Sequence, residues 1–166
     1  MILTDNDELY NKIINIRDSD KKPLTPVKYN YKMTDFQAAL GLSQLKKLDG
    51  FISQRREIAS HYTSQLSEYV LSVPIKPIHK ASVYYRYVVI VDKLDEIQRE
   101  AKEKGVMCEK PVWKPLHKDI PSIKCPNSDY AHAHALSIPL YPGLIEEEIK
   151  HVTRTLKTVL KKHLPS

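Results

Sequence analysis

The stretch TDFQAALGLSQLKKLDGFISQRREIASHYTSQLSEYV, residues 34–70, decides the fold of this protein. Its apolar residues recur at alternating steps of three and four, which is the period of one face of an α-helix. This face consists of Leu45, Leu48, Ile52, Ala59, Tyr62, Leu66 and Tyr69, and only Arg55 interrupts it. The sequence therefore predicts one long helix from Thr34, as its N-cap, to Val70, with a bend that Gly50 would permit. A helix of this length is typical of a spine that links the parts of a larger structure.

Shorter elements flank the long helix on both sides. Before it, Thr4 is the predicted N-cap of an amphipathic helix that ends near Arg17, and residues 18–33 form an exposed connection. After it the sequence predicts, in order, a strand Ser82–Asp92, a helix from Leu94 that ends at Gly105, a short strand Val106–Cys108, a helix Ser128–Ala135, a strand Leu136–Leu140 and a last helix after Gly143. Helices and strands in this order predict a layered α/β or α+β fold.

The composition predicts a globular, cytoplasmic protein. Its 166 residues suffice for one domain, and no apolar run reaches the roughly 18 residues of a transmembrane helix, so we expect no membrane partner. The first residues carry acids where a signal peptide would be basic and then apolar, and two cysteines are too few for a disulfide scaffold. The net charge of +6 is spread along the chain among acids, which argues against a nucleic-acid partner.

Five side chains that metals accept as ligands lie within a short span: Cys108, His117, Cys125, His132 and His134. No CxxC or HExxH spacing joins them, and residues two apart on a helix do not share a face, so we predict no metal site. The chain also lacks GxSxG, P-loop and GxGxxG motifs. From the residues alone, we predict no complete catalytic site.

Two loops carry residues typical of ligand contacts. The run Trp113-Lys114-Pro115-Leu116-His117 places the only tryptophan beside a cation and a histidine, between prolines that stiffen the loop. Two interpretations stay open, because Trp113 would either contact a ligand or anchor the loop to the core. The second loop, Tyr29–Lys32, is polar and aromatic and precedes the start of a helix, which is a natural place for an anion such as phosphate.

The segment YNYKMTDFQAALGLSQLKKLDGFISQRREIASHY, Tyr29–Tyr62, resembles a signature of the DegT/DnrJ/StrS family. Members of this family are nucleotide-sugar aminotransferases, fold-type I enzymes that use pyridoxal phosphate. The matching residues are Asn30, Met33, Asp35, Ala38, Ala39, Gly41, Gln44, Leu45, Leu48, Arg55, Arg56, Ala59 and Tyr62. The segments Ile2–Asp18, Lys110–His117 and Leu136–Val152 resemble further family motifs in the family's order, so the resemblance covers essentially the whole chain.

The resemblance implies an architecture that belongs to a larger enzyme. Residues 1–29 would end the cofactor-binding large domain, and residues 30–166 would form the long linking helix and the small C-terminal α/β domain. That small domain would hold a mixed or antiparallel sheet flanked by helices. Family chains are more than twice as long, and the lysine that binds the cofactor covalently would lie upstream of Met1. No residue of this chain is therefore predicted to be catalytic, and the scarcity of glycine fits the absence of the glycine-rich cofactor-binding part.

The resemblance also implies site residues. Asn30 and Lys32 would contact the cofactor phosphate of a partner subunit across a dimer interface, and Tyr31, Trp113 and His117 would contact the substrate. An amide such as that of Asn30 donates to phosphate without adding charge. Lys32 stands where the family has arginine and keeps the charge without the planar, bidentate guanidinium.

The function that follows is that of a C-terminal fragment of an aminotransferase acting on keto-sugar nucleotides, inactive alone and binding no cofactor alone. In the complete enzyme an amino acid, commonly glutamate, would donate the amine through pyridoxal phosphate. We expect a homodimer or other self-association, since surfaces that normally pack against the large domain would be exposed. The alternatives are a non-catalytic dimerisation or partner-binding module, and one half of a split enzyme with a separately encoded N-terminal half.

Overall fold

The computed structural model of the protein describes residues 2–17, 29, 31–74, 81–120 and 122–164. In chain order, the elements of this described part are α1 (Asp7–Arg17), α2 (Asp35–Leu45), α3 (Leu48–Leu66), β1 (Tyr87–Ile90), α4 (Leu94–Glu103), α5 (Pro126–His134), β2 (Ala135–Ile138) and α6 (Glu146–Lys162). The chain divides into two compact units, Met1–Lys47 and Leu48–Ser166. The predicted boundary after residue 29 refers to domains of a larger enzyme and stays a prediction.

The long helix is divided, so the prediction of one continuous helix from Thr34 to Val70 is wrong. The α-helical pattern ends at Leu45 and starts again at Leu48. Between them the amide of Lys47 donates to the carbonyl of Gln44 at 3.0 Å, three residues back, which is the hydrogen bond of a 3₁₀ turn. Gly50 lies inside α3, so the interruption is not at the predicted place.

The ends of this region follow local hydrogen bonding. The Thr34 hydroxyl accepts from the amide of Gln37 at 3.3 Å, and the Gln37 side chain accepts from the amide of Thr34 at 3.0 Å. This reciprocal pair is a capping box, and it confirms Thr34 as N-cap. At the other end α3 stops at Leu66 and a 3₁₀ turn, Ser67–Tyr69, follows.

The first helix is confirmed, but its cap is not Thr4. The side chain of Asn6 accepts from the amide of Leu9 at 2.9 Å, which is the capping geometry at the start of α1. The Thr4 hydroxyl instead accepts from the amide of Asn6, two residues before the N-cap position of the helix.

The sheet pairs β1 and β2 in antiparallel register, with Tyr87 opposite Ile138 and Ile90 opposite Ala135. Isolated bridges from Ser72 to Ile90 and from Glu109 to Ser137 extend it on both sides. Two predicted strands are confirmed in shorter form. The predicted strand Val106–Cys108 is wrong, because the ladder contact on that side is the single bridge of Glu109.

The core lies in the second unit, where α3, α4 and α6 contribute buried faces around the sheet. The largest fully buried side chains are Tyr62, Tyr87, Leu66, Ile97, Leu136, Leu156, Leu160, Val89, Val106 and Val159. The two tyrosines keep hydrogen-bond partners, since the Tyr62 hydroxyl donates to the carbonyl of Pro139 at 3.0 Å and the Tyr87 hydroxyl lies 2.9 Å from the Thr63 hydroxyl. Burial raises the pKa of both phenols, so they stay neutral. None of the helices in the described ranges has the length and apolar character needed to cross a membrane.

Candidate functional site

The loop that follows the sheet edge, Lys110–Asp119, is the best-defined candidate site. It begins where Glu109 exchanges two backbone hydrogen bonds with Ser137, at 3.1 and 2.8 Å, and it ends in a 3₁₀ turn, Leu116–Asp119. Pro111 and Pro115 restrict the backbone between these anchors, and Pro115 is buried. The sequence thus gives the loop two fixed ends and two stiff positions.

Helix α5 ties this loop down through side chains. His132 Nε2 lies 3.1 Å from the carbonyl oxygen of Trp113, and His117 Nε2 lies 3.0 Å from Asp129 Oδ1. Lys118 Nζ also reaches Asp129 Oδ1, at 2.6 Å. Carbonyl and carboxylate oxygens only accept, so both histidines carry a proton on Nε2. Asp129 and His132 are three residues apart on α5 and therefore share a face. Both side chains can for this reason contact the same loop.

The two predicted substrate residues of this loop have opposite environments. Trp113 is 95% exposed, the highest value among the described large apolar residues. The interpretation that it anchors the loop in the core is therefore wrong. The side chain of His117 is only 10% exposed and is turned to Asp129. Its role as a substrate contact stays a prediction.

His117 nevertheless borders open space. Together with Lys118, Lys124 and Asp129 it lines a cleft of about 410 Å³, whose other walls are Ile120, Ile123, Cys125 and Pro126. Hydrogen bonds from Lys118 and then His117 hold the pKa of the Asp129 carboxyl below its usual range. Two lysines, Lys118 and Lys124, line the cleft against the single carboxylate of Asp129, and this excess of positive charge favours an anionic ligand.

The other predicted contacts lie in the first unit. Asn30 lies outside the described residues, and its predicted role stays a prediction. Tyr31 is 69% exposed and stacks on Tyr29 with ring centroids 4.9 Å apart and planes 2° from parallel. The amide of Tyr29 donates to the carbonyl of Ile16 at 3.0 Å, so this segment is held at the end of α1. Lys32 is exposed beside Tyr31, two residues before the capping box.

Arg55, which interrupts the apolar face of the predicted long helix, has a specific environment. Its Nη1 donates to the carbonyls of Tyr84 and Tyr85, both at 3.1 Å, and of Leu140 at 3.3 Å. Tyr84 has a left-handed backbone, with φ of 45°, which is costly for a residue with a Cβ. Arg55 thus fastens α3 to the segments before β1 and after β2. Sequence reasoning singled out this arginine but not its partners, which are backbone atoms and leave no side-chain signal.

The histidines that were considered as metal ligands bond to other groups, and the two cysteines are free thiols. His134 Nδ1 lies 2.8 Å from the carbonyl of Tyr130 within α5, and burial raises the pKa of the Cys108 thiol to about 12. Cys125 is also a free thiol. In the described ranges, no group of three or more His, Cys, Asp or Glu side chains is arranged to hold a metal ion.

Sequence reasoning missed Asp129 and His132 as residues that position the loop. The available signal was their spacing of three on a predicted helix downstream of a proline-rich loop. That spacing shows a shared face but does not reveal which loop the face meets.

The sequence is similar to that of known proteins along nearly its whole length. The sequence matches the DegT/DnrJ/EryC1/StrS aminotransferase family over residues 1–157. A pleiotropic regulatory protein of Geobacillus stearothermophilus is 31% identical over an aligned length of 171 residues. The alignment covers 94% of this chain and 45% of the relative. A dTDP-4-dehydro-2,3,6-trideoxy-D-glucose 4-aminotransferase of Saccharopolyspora spinosa is 33% identical over 138 residues, which cover 78% of this chain and 35% of the relative.

The fold has close counterparts among solved structures. The crystal structure of a DegT DnrJ EryC1 StrS aminotransferase from Brucella abortus matches with a TM-score of 0.81 at 21% identity, over 98% of this chain and 45% of that one. This similarity confirms the predicted fold class, a mixed helical domain with a small antiparallel sheet. The chain spans less than half the length of these relatives. Since the family match extends over residues 1–157, nearly all of the sequence, the protein belongs to the DegT/DnrJ/EryC1/StrS aminotransferase family.

Proposed function

We propose that this chain is the C-terminal part of a pyridoxal-phosphate-dependent aminotransferase that acts on keto-sugar nucleotides. The observation that carries the proposal is the family match over residues 1–157. The similarity to less than half of each longer relative supports the placement as one part of a larger enzyme. The Saccharopolyspora spinosa relative, named for amination of a dTDP-linked sugar, supports the substrate class.

In this proposal the described residues have a supporting role toward the cofactor. Pyridoxal phosphate, when bound, supplies the electron sink for amino-group transfer. A lysine that binds it covalently works in a desolvated pocket, yet the buried polar residues of the described part are Ser137, Thr153 and Thr155, without a lysine. In the proposal Asn30 and Lys32 contact the cofactor phosphate of a partner subunit, and the chain alone binds no cofactor and has no activity.

Substrate contacts come from Tyr31, Trp113 and His117 in this proposal. The exposure of Trp113 supports it, and Tyr31 is exposed as well, although one face of its ring is stacked on Tyr29. The substrates are a nucleotide sugar and an amino-acid donor such as glutamate.

Self-association is part of the same proposal. In α2, Phe36 is 79% exposed and Leu45 is 63% exposed, and apolar surface of this kind favours burial against another subunit. A homodimer in the cytoplasm is the assembly we propose, and the free thiols of Cys108 and Cys125 suit a reducing compartment.

The decisive experiment mixes the purified chain with pyridoxal phosphate and then reduces it with borohydride. We expect no lysine to become labelled and no amination of a dTDP-4-keto sugar with glutamate as donor. Labelling of one specific lysine would contradict the proposal. The same assay is then repeated with the protein encoded by DNA immediately upstream.

The second arm separates the alternatives. Activity that appears only when a separately encoded N-terminal half is added identifies a split enzyme. An in-frame upstream segment with a cofactor lysine identifies a piece of one longer chain. If neither exists, the non-catalytic dimerisation or partner-binding module takes the place of the aminotransferase.

A further inference from the structure

The loop Lys110–Asp119 is held by defined contacts, although the apolar residues at its tip are exposed. Holding a surface loop in one conformation costs backbone entropy, which a protein normally recovers by burying the apolar side chains of that loop. Here the side chain of Trp113 stays 95% exposed, and its neighbours Val112 and Leu116 are exposed as well. The ordering contacts are made to the backbone and to the base of the loop instead.

Those contacts form a defined group, which we call the α5 clamp: His132 with the Trp113 carbonyl, and His117 with Asp129. The first contact fixes the peptide group of Trp113 itself, and the second fixes the 3₁₀ turn that closes the loop. Pro111, Val112 and Pro115 lie against Ser128, Ala131, His132 and Ala135 around a small cavity of about 150 Å³. The clamp therefore restrains the backbone that carries Trp113 without covering its ring.

We propose that the α5 clamp presents Trp113 as a preformed stacking surface for the base of a nucleotide. The inference rests on the proposed function for the presence of a nucleotide, and it assigns His117, Asp129 and His132 as positioning residues. A ligand surface that is already ordered avoids the entropy that a mobile loop would lose on binding.

The chemistry of the tip favours a base over a sugar ring. Besides Trp113, the exposed residues Val112 and Leu116 of this loop are apolar and cannot satisfy the hydroxyl groups of a sugar, and the nearby Lys114 is paired with Asp119. A planar base can stack on an aromatic side chain without further polar contacts, because every base has a π-face. The cleft farther along the same loop, with Lys118 and Lys124 on its walls, offers cations to the phosphates of the same molecule.

The test uses the full chain and its single tryptophan, so that the fluorescence signal comes from Trp113 alone. His132→Ala and His117→Ala should each lower the amplitude of the slow component of the Trp113 anisotropy decay, while acrylamide quenching, already high for an exposed ring, stays the same. His132→Gln places an amide N–H near the position of Nε2 and should restore the slow component. His134→Ala is the matched control, because His134 contacts the Tyr130 carbonyl within α5 rather than the loop.

The ligand arm titrates dTDP and, separately, inorganic pyrophosphate. We expect dTDP to quench Trp113 with saturation, pyrophosphate to leave the emission unchanged, and His132→Ala to weaken the dTDP affinity several-fold while His134→Ala does not. Circular dichroism shows whether each variant is folded, and His117→Ala carries the test if His132→Ala does not fold.

The anisotropy decay tests the clamp, and the quenching tests base stacking. An unchanged anisotropy decay in both alanine variants would overturn the clamp. Quenching by pyrophosphate equal to that by dTDP, or none by either, would overturn base stacking. Neither readout requires cofactor or turnover, so labelling of one specific lysine by pyridoxal phosphate and borohydride, with intact dTDP quenching, would reject the proposed function alone.

Discussion

Replacing Arg55 with methionine should destabilise the second unit far more than the same change at the neighbouring Arg56. Methionine keeps an unbranched apolar stem of similar reach and removes only the guanidinium. Arg55 Nη1 serves three backbone carbonyls, whereas Arg56 Nε donates to one, that of Ser82 at 2.9 Å on the exposed side of α3. The pair is therefore a matched comparison of one residue type at adjacent positions.

The expected loss of unfolding free energy depends on how many hydrogens Arg55 donates, not on how many carbonyls accept them. One Nη1 carries two hydrogens, so the contacts with three carbonyls amount to about two full hydrogen bonds. Hydrogen bonds to charged groups contribute about 1.5–3 kcal/mol each, and partial exposure places these at the lower end, so the loss is about 3 kcal/mol. The exposed single bond of Arg56 is worth about 0.5–1 kcal/mol. The expected difference between the variants is therefore about 2 kcal/mol.

Urea denaturation followed by far-ultraviolet circular dichroism measures this difference. A gap of about 2 kcal/mol lowers the melting temperature of a chain of this size by about 4–8 °C in Arg55→Met relative to Arg56→Met. Equal unfolding free energies for the two variants would refute the argument, because the three carbonyls would then be satisfied as well by water as by Arg55. Arg55→Lys should recover only part of the loss, since an ammonium has a different reach and geometry.

Three further changes test other features of the fold. Gly50→Ala should stabilise the protein by about 0.5–1 kcal/mol in thermal unfolding, because Gly50 lies within α3 and an added Cβ meets nothing within 4 Å. Gly105→Ala should destabilise it by more than about 1 kcal/mol in the same assay, because its φ of +82° is unfavourable for any residue with a Cβ. Hydrogen bonds from Lys162 and then His163 lower the pKa of the Glu100 carboxyl, so its contribution to stability is present above the ordinary pKa of a glutamate and is lost as the pH falls through the lowered value. The urea midpoint of Glu100→Gln should accordingly lie below that of the wild type at neutral pH and meet it in acid, and a gap that persists in acid would contradict this.

Periodicity predicted most elements because burial follows it. Leu94, Ile97 and Ala101 are all buried in α4, at the spacing that identified this helix. The division of the long helix escaped the same reasoning. The apolar period continues through Leu45 and Leu48, and a 3₁₀ hydrogen bond at Lys47 changes the backbone without changing which residues are apolar. A pattern of side chains cannot reveal that difference.

The prediction of a strand at Val106–Cys108 failed for a related reason. Val106 and Cys108 are buried while Met107 is exposed, so the side chains alternate as they would in a strand. A strand also needs a neighbour in register, and here the pairing is limited to Glu109 with Ser137. Alternation reports the burial of side chains, whereas pairing depends on residues far away in the sequence.

The site was predictable where it depends on residue type and unpredictable where it depends on partners. A tryptophan between prolines identified the loop of Trp113, since that composition is typical of a stiff, presented segment. The inward turn of His117 depends on Asp129, twelve residues later and on another element. Sequence position gives no sign of which histidine faces a carboxylate and which faces a ligand.

The residues that carry the family resemblance have an architectural role in this chain. Arg55, Ala59 and Tyr62 lie on one face of α3, at spacings of four and three. Ala59 has no exposed surface, which permits close packing, and Tyr62 and Arg55 bond to the backbone carbonyls of Pro139 and Leu140 after β2. The motif therefore specifies how a helix joins the end of a strand, a constraint that any chemistry built on this fold must meet. A signature of this kind therefore carries information about the fold of the second unit without naming a catalytic group within it.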